Sequence, residues 1–262
     1  MKLPLRPLGL LSLLLVLIGA MFMPHTWLRA LDFVGYAVCH RIPARSFFVA
    51  GEQLPLCARD TGMFGAALLH LILLATSPRA RAAGLPSGIW RVGLAALAFA
   101  WAADGLNSYV ALLTGQPIAY APSNILRLIT GAGMGIVMST LLVLLFNQAV
   151  WAKPDPIAPF ARGRDVWRPV LAAGAVIALY LWRPAVLYGP LVMLSALGVI
   201  VMVGVLVGLI VLVAMNQHGK VTTARVLLLP MTLGFILGTA GLFAAAEVRL
   251  ALLGPTLPLN AP

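Results

Sequence analysis

The chain has 262 residues, 61% of them hydrophobic and only 10% charged, with a mean hydropathy of +1.00. So little polar material cannot cover a soluble domain, and two cysteines exclude a disulfide-built scaffold. The net charge of +11 is not gathered into a basic tract interleaved with aromatics, which excludes nucleic acid as a partner; lysines and arginines instead separate long apolar runs, as loops of a membrane protein do.

Those runs cover about seven segments: residues 5–23, 60–76, 89–113, 124–150, 169–183, 186–214 and 226–250. About 20 apolar residues cross a hydrocarbon core of roughly 30 Å, and the runs lack the roughly ten-residue alternation of barrel strands. The expected fold is all-α, a polytopic transmembrane helix bundle. The first run follows Lys2 and Arg6 as a secretory signal would, but its length favours an uncleaved anchor. Between His25 and Val38, WLRALDFVGYAV puts Trp27, Leu28, Leu31, Val34 and Val38 on one helical face, with Arg29 and Asp32 away from it, which predicts a single helix lying at the interface. The fifth run, VLAAGAVIALYLW, is short and meets Arg183 and Pro184 at once, so a tilted or partial crossing is expected there. If the segments alternate in direction, Lys2, Arg6, Arg79, Arg81, Arg91, Lys153, Arg162, Arg164, Arg168, Lys220 and Arg225 fall on one side. These eleven of 18 basic residues mark the cytoplasm, with the N-terminus inside and the C-terminus outside.

The stretch CHRIPARSFFVAGEQLPLCARDTG, Cys39 to Gly62, breaks the pattern. It holds both cysteines, His40, three arginines and two carboxylates, and it belongs to the external loop 24–59 and the start of the next span. Further polar residues fall at the same depth. Asp104, Asn107 and Ser108 share one face of the third segment at spacing i, i+3, i+4, and Asn124, Arg127 and Thr130 occupy the first turns of the fourth. A carboxylate inside a membrane needs a partner, and Arg127 is the expected one for Asp104. His70, mid-segment, is expected to be a buried neutral imidazole bonded to a neighbour. The glycines of GAGMG, Gly131 to Gly135, read as close helix packing with Met134 and Met138. The pairs Gly204/Gly208 and Gly234/Gly238 read as small-residue contact faces through which a membrane partner or a second copy could dock.

Several chemistries suit the Cys/His window. Cys57 and Asp60 stand i, i+3 at a helix start and can share an ion with Cys39 and His40. Two thiolates, an imidazole and a carboxylate suit tetrahedral zinc. A Cys39–Cys57 disulfide, worth roughly 3 kcal/mol, is the competing structural use of the same residues. Reversible thiol chemistry is a third, with the Cys57 thiol expected to be acidified by the helix N-terminus and Arg59. Separately, Arg41, Arg45, Arg59 and Arg127 could cradle an anionic lipid headgroup. No paired-carboxylate hydrolase, nucleophile elbow or phosphate loop is present in the sequence.

Three separated blocks resemble a known family. CHRIPARSFFVAGEQLPLCARDTG, then Asp104-Gly105, then NILRLITG at Asn124 to Gly131 are similar to the signature of the bacterial membrane proteins grouped as domain-of-unknown-function family 2085, over about residues 38–135. The family pattern places a third cysteine where this chain has Asp60, a substitution that zinc tolerates but that weakens both the soft-metal and the dithiol readings. The resemblance implies a shared architecture and site in a bacterial inner membrane, and implies no reaction. Residues 1–150 then form a four-span bundle and 151–262 an appended three-span module. The functional expectation is a divalent-metal site at the external interface, with a headgroup-binding enzyme or carrier, or a non-catalytic subunit of a membrane complex, as alternatives.

Overall fold

The computed structural model describes residues 14–160 and 163–254. Helix α1 covers 14–21 of the described residues, and short helices α2 (His25–Arg29) and α3 (Asp32–Val38) follow. A hairpin of β1 (Ser46–Val49) and β2 (Glu52–Cys57) leads directly into α4 (Ala58–Ala75). The remainder is helical: α5 (Gly88–Thr114), α6 (Asn124–Val150), α7 (Trp167–Trp182), α8 (Tyr188–Ala214) and α9 (Leu228–Leu253).

This is a membrane protein with a helical bundle. Five helices, α4, α5, α6, α8 and α9, are long and apolar enough to cross a bilayer, while α7, at 16 residues, is shorter. Of the first expected span, residues 14–21 are helical and 5–13 lie outside the described residues, together with Lys2 and Arg162. Successive helices run in opposite directions. At one end the start of α6 meets the segment before β1, where Asn124 donates to the Ala44 carbonyl at 3.1 Å, and the Arg183 guanidinium after α7 covers the Phe47 ring. At the other end Asn147 of α6 donates to the carbonyls of Ala80 and Ala82 after α4, and Trp151 pairs with Val221 before α9.

Helix α4 is central because it offers small residues to its neighbours. A Cβ on Gly62 would lie 2.3 Å from the Leu128 carbonyl oxygen, one on Gly131 2.1 Å from that of Arg59, and one on Gly135 2.2 Å from that of Met63. Backbones this close gain dispersion contacts that bulkier residues forbid, which is how membrane helices associate without a hydrophobic drive. Gly198 of α8 likewise leaves only 2.3 Å between its would-be Cβ and the Phe64 carbonyl oxygen, so the C-terminal helices pack on α4. Within this packing His70 is fully buried, its Nδ1 2.8 Å from Ser139 Oγ.

Two expectations are corrected here. Gly204, Gly208 and Gly234 are not free docking faces: α8 and α9 use them on each other, a Cβ on Gly234 falling 2.3 Å from the Gly208 Cα. The interfacial helix is broken at Ala30–Leu31 into α2 and α3, with Leu28 and Val34 buried but Trp27 69% exposed. The hairpin was not anticipated at all. Its turn, Ala50-Gly51, has both φ values positive, at 52° and 81°, the two-residue geometry whose twist matches paired strands.

Gly131→Ala is expected to lower the unfolding midpoint in detergent well below that of the parent, despite the gain of up to about 1 kcal/mol in helix propensity. Gly93→Ala on α5, where a new Cβ meets nothing within 4 Å, should match or exceed the parent. Equal effects at the two sites would contradict the α4–α6 packing.

Candidate functional site

Three elements meet at the end of the bundle where α4 and α6 begin. Cys39 ends α3 in extended backbone, Cys57 closes β2 opposite Ser46 and stands at the N-cap of α4, and Asp60 occupies the first turn of α4. Their two sulfurs and a carboxylate oxygen all lie within 4.8 Å of one another. The Cys57 amide donates to Cys39 Sγ at 3.2 Å, and the Cys57 thiol donates to Asp60 Oδ2 at 3.3 Å. Both cysteines are free in this structure. The expected acidification of Cys57 is corrected. Its hydrogen bond with Cys39, then burial, then the Asp60 charge push the thiol well above its ordinary range, outweighing the opposing hydrogen bond from the Asp60 backbone amide at the helix start.

His40 is exposed and is not one of the three grouped residues. In extended backbone consecutive side chains point to opposite sides, so burying Cys39 turns His40 outward. Arg41, at φ 51°, turns back to pair with Asp32 at 3.0 Å and to cover the Tyr36 ring, and so leaves the other arginines. The turn is held from an element with no evident role in the sequence reading. Arg249 of α9 donates to the carbonyls of Tyr36, Cys39 and His40. An arginine near the end of the long apolar run of the final helix, two residues after Glu247, was the signal that could have found it.

Asp104 is the second centre. Only 1% exposed, its side chain accepts from Arg59 Nη2 at 2.5 Å, from the Tyr120 hydroxyl at 3.0 Å and from Thr130 Oγ1 at 3.3 Å. Arg59 also donates to Ser108 Oγ and to the Asp104 carbonyl. The expected Asp104–Arg127 pair is therefore corrected: Arg127 Nη1 donates to Asn124 Oδ1 at 2.8 Å instead. Depth was right but the partner was wrong, because Arg59 extends from the first turn of α4 into the face that Asp104 presents. The three polar residues Asp104, Asn107 and Ser108 are the buried residues of α5, while Leu94 on the core and Leu97 against Gly133 of α6 add partly buried apolar contacts. Asn107 folds the following loop back onto the helix, donating to the Tyr120 carbonyl at 2.9 Å and accepting from the Ala119 amide at 2.9 Å. Arg45 Nη2 reaches the Ser108 carbonyl at 3.0 Å.

Most of this geometry lies within the stretch that has relatives. Residues 39–141 match the family described as "Predicted membrane protein (DUF2085)". The chain is also similar to an uncharacterized protein, MJ1492, of Methanocaldococcus jannaschii, 26% identical over 116 residues, which are 44% of this chain and 68% of that protein. No solved structure matches the chain. The match to DUF2085 takes in Cys39, Cys57, Asp60, Asp104 and Arg127, whereas Arg249 lies outside it.

Removing one member of the buried ion pair leaves the other uncompensated. Asp104→Asn or Arg59→Met is each expected to cost roughly 3 kcal/mol of stability. The double variant Arg59→Met/Asp104→Asn should cost clearly less than the sum, as read by denaturant titration in detergent micelles. Strict additivity would show that the two groups do not interact.

Proposed function

We propose that Cys39, Cys57 and Asp60 bind one divalent cation, zinc by donor type, on the external side of the membrane. The observation that carries this reading is the convergence of two thiols and a carboxylate within 4.8 Å, delivered by three separate elements. Ligand atoms around tetrahedral zinc stand about 3.5–4 Å apart, so small side-chain rotations suffice to close the group on an ion. Sulfur with a single carboxylate suits zinc over magnesium or calcium, which prefer all-oxygen shells. Three protein ligands leave a fourth position for water or an external ligand, and the ion would serve to fix the α3–hairpin–α4 junction and to present that position. A cation would also neutralise the mutual repulsion of the ligating anions.

The external placement rests on charge. Arg79, Arg81, Arg91, Lys153, Lys220 and Arg225 gather at the opposite end of the helices, which the positive-inside rule assigns to the cytoplasm of a cell membrane, bacterial by the family resemblance. The N-terminus is then cytoplasmic and the C-terminus external.

Protein purified in mild detergent without chelators is expected to hold about one zinc per chain by plasma mass spectrometry, with both thiols unreactive until chelation. Cys57→Ser should lose the metal while keeping its elution volume. Absence of metal together with a Cys39–Cys57 disulfide in the native protein would overturn the reading.

A further inference from the structure

Beside the cysteine group stand three arginines whose positive charge is not balanced. Arg45 and Arg59 converge on one residue, Ser108, the first on its carbonyl at 3.0 Å and the second on its hydroxyl at 3.2 Å. Arg127 lies within electrostatic reach of both. Among the described residues one carboxylate, Asp104, pairs with this cluster, and it is already saturated by Arg59, Tyr120 and Thr130. The neighbouring Asp60 carboxylate is engaged with the cysteines. A guanidinium offers five N–H donors, yet each of these three donates through a single terminal nitrogen. The Nε atoms of Arg59 and Arg127 are buried with no partner among the described residues, and Arg127 is only 6% exposed.

A protein does not normally bury guanidinium N–H groups unpaired, nor bring like charges together in an apolar bundle, without an anion to share. Burial first, and then the charge of Arg59, push the Arg45 guanidinium below its ordinary range. Two helices, α4 and α6, also begin here, with N-terminal amides that favour negative charge.

We propose that Arg45, Arg59 and Arg127 form a second site that binds a phosphate-class oxyanion. Asp104 does not neutralise the cluster; it orients Arg59 and, through the Tyr120 hydroxyl, holds the α5–α6 loop beside it. The site takes charge-assisted, multiply donated hydrogen bonds, a chemistry supplied equally by a phospholipid headgroup at the membrane surface and by free phosphate. It stands independently of the metal reading, because none of its donors is a proposed metal ligand.

The test is calorimetric titration of the detergent-solubilised full chain with inorganic phosphate, with dihexanoyl phosphatidic acid and with dihexanoyl phosphatidylcholine, repeated on Arg127→Gln and Arg45→Gln. Binding of phosphatidic acid but not of phosphate assigns a lipid headgroup, and binding of both assigns a free oxyanion. In either case each variant should weaken the affinity by about tenfold or more, the worth of one charge-assisted hydrogen bond. Arg45→Gln decides if Arg127→Gln fails to fold, since Arg45 lies outside the spanning helices. No binding of any probe, or affinity unchanged in the variants, or phosphatidylcholine bound as well as phosphatidic acid, would overturn the proposal.

Discussion

A carboxylate in the apolar part of a helix bundle is tolerable only when it is paired, and the rest of this site follows from how Asp104 is paired. Its partner is Arg59, one residue before Asp60 and two after Cys57. Fixing the Arg59 side chain toward α5 therefore fixes the rotation of the first turn of α4, and with it the directions in which Cys57 and Asp60 project. The close approach of Gly131 to the Arg59 carbonyl constrains the same turn from the side of α6. Side-chain electrostatics and backbone sterics act on one turn of helix, and the thiol–carboxylate group is built on that turn.

The third donor arrives by a different route. Cys39 is placed by α3, whose Gly35 leaves 1.9 Å between a would-be Cβ and the Pro55 carbonyl oxygen of β2, so that helix and hairpin are in backbone contact. Arg249 of α9 then ties the carbonyls of the Cys39 turn to the last helix. Since α9 lies beyond residues 39–141, the part of the chain outside the family match contributes directly to the geometry of the part within it.

Much of this was legible in the sequence. Hydropathy placed the helices α4 to α9, since long apolar runs bounded by charge have few other solutions. The Cys57-x-x-Asp60 spacing and the shared face of Asp104, Asn107 and Ser108 follow from helical periodicity alone. What was not legible depends on rotation and on non-local pairing. Depth along two helices could not reveal that Arg59 rather than Arg127 faces Asp104. Adjacency in sequence suggested that Cys39 and His40 act together, whereas extended backbone separates them. The hairpin was hidden because its turn, Ala50-Gly51, lacks the Asn-Gly or Asp-Gly signal. The glycine faces of α8 and α9 looked equally suited to another chain, and nothing in their spacing shows that each is the other's partner.

If two thiolates and one carboxylate share a cation, cobalt substitution reports the donor set spectroscopically. Cobalt(II) added to the metal-free protein should give intense visible bands of a tetrahedral site together with near-ultraviolet sulfur-to-cobalt charge transfer, both lost in Cys39→Ser or Cys57→Ser. A weak octahedral spectrum without charge transfer, unchanged by either substitution, would show that the cysteines do not hold a metal.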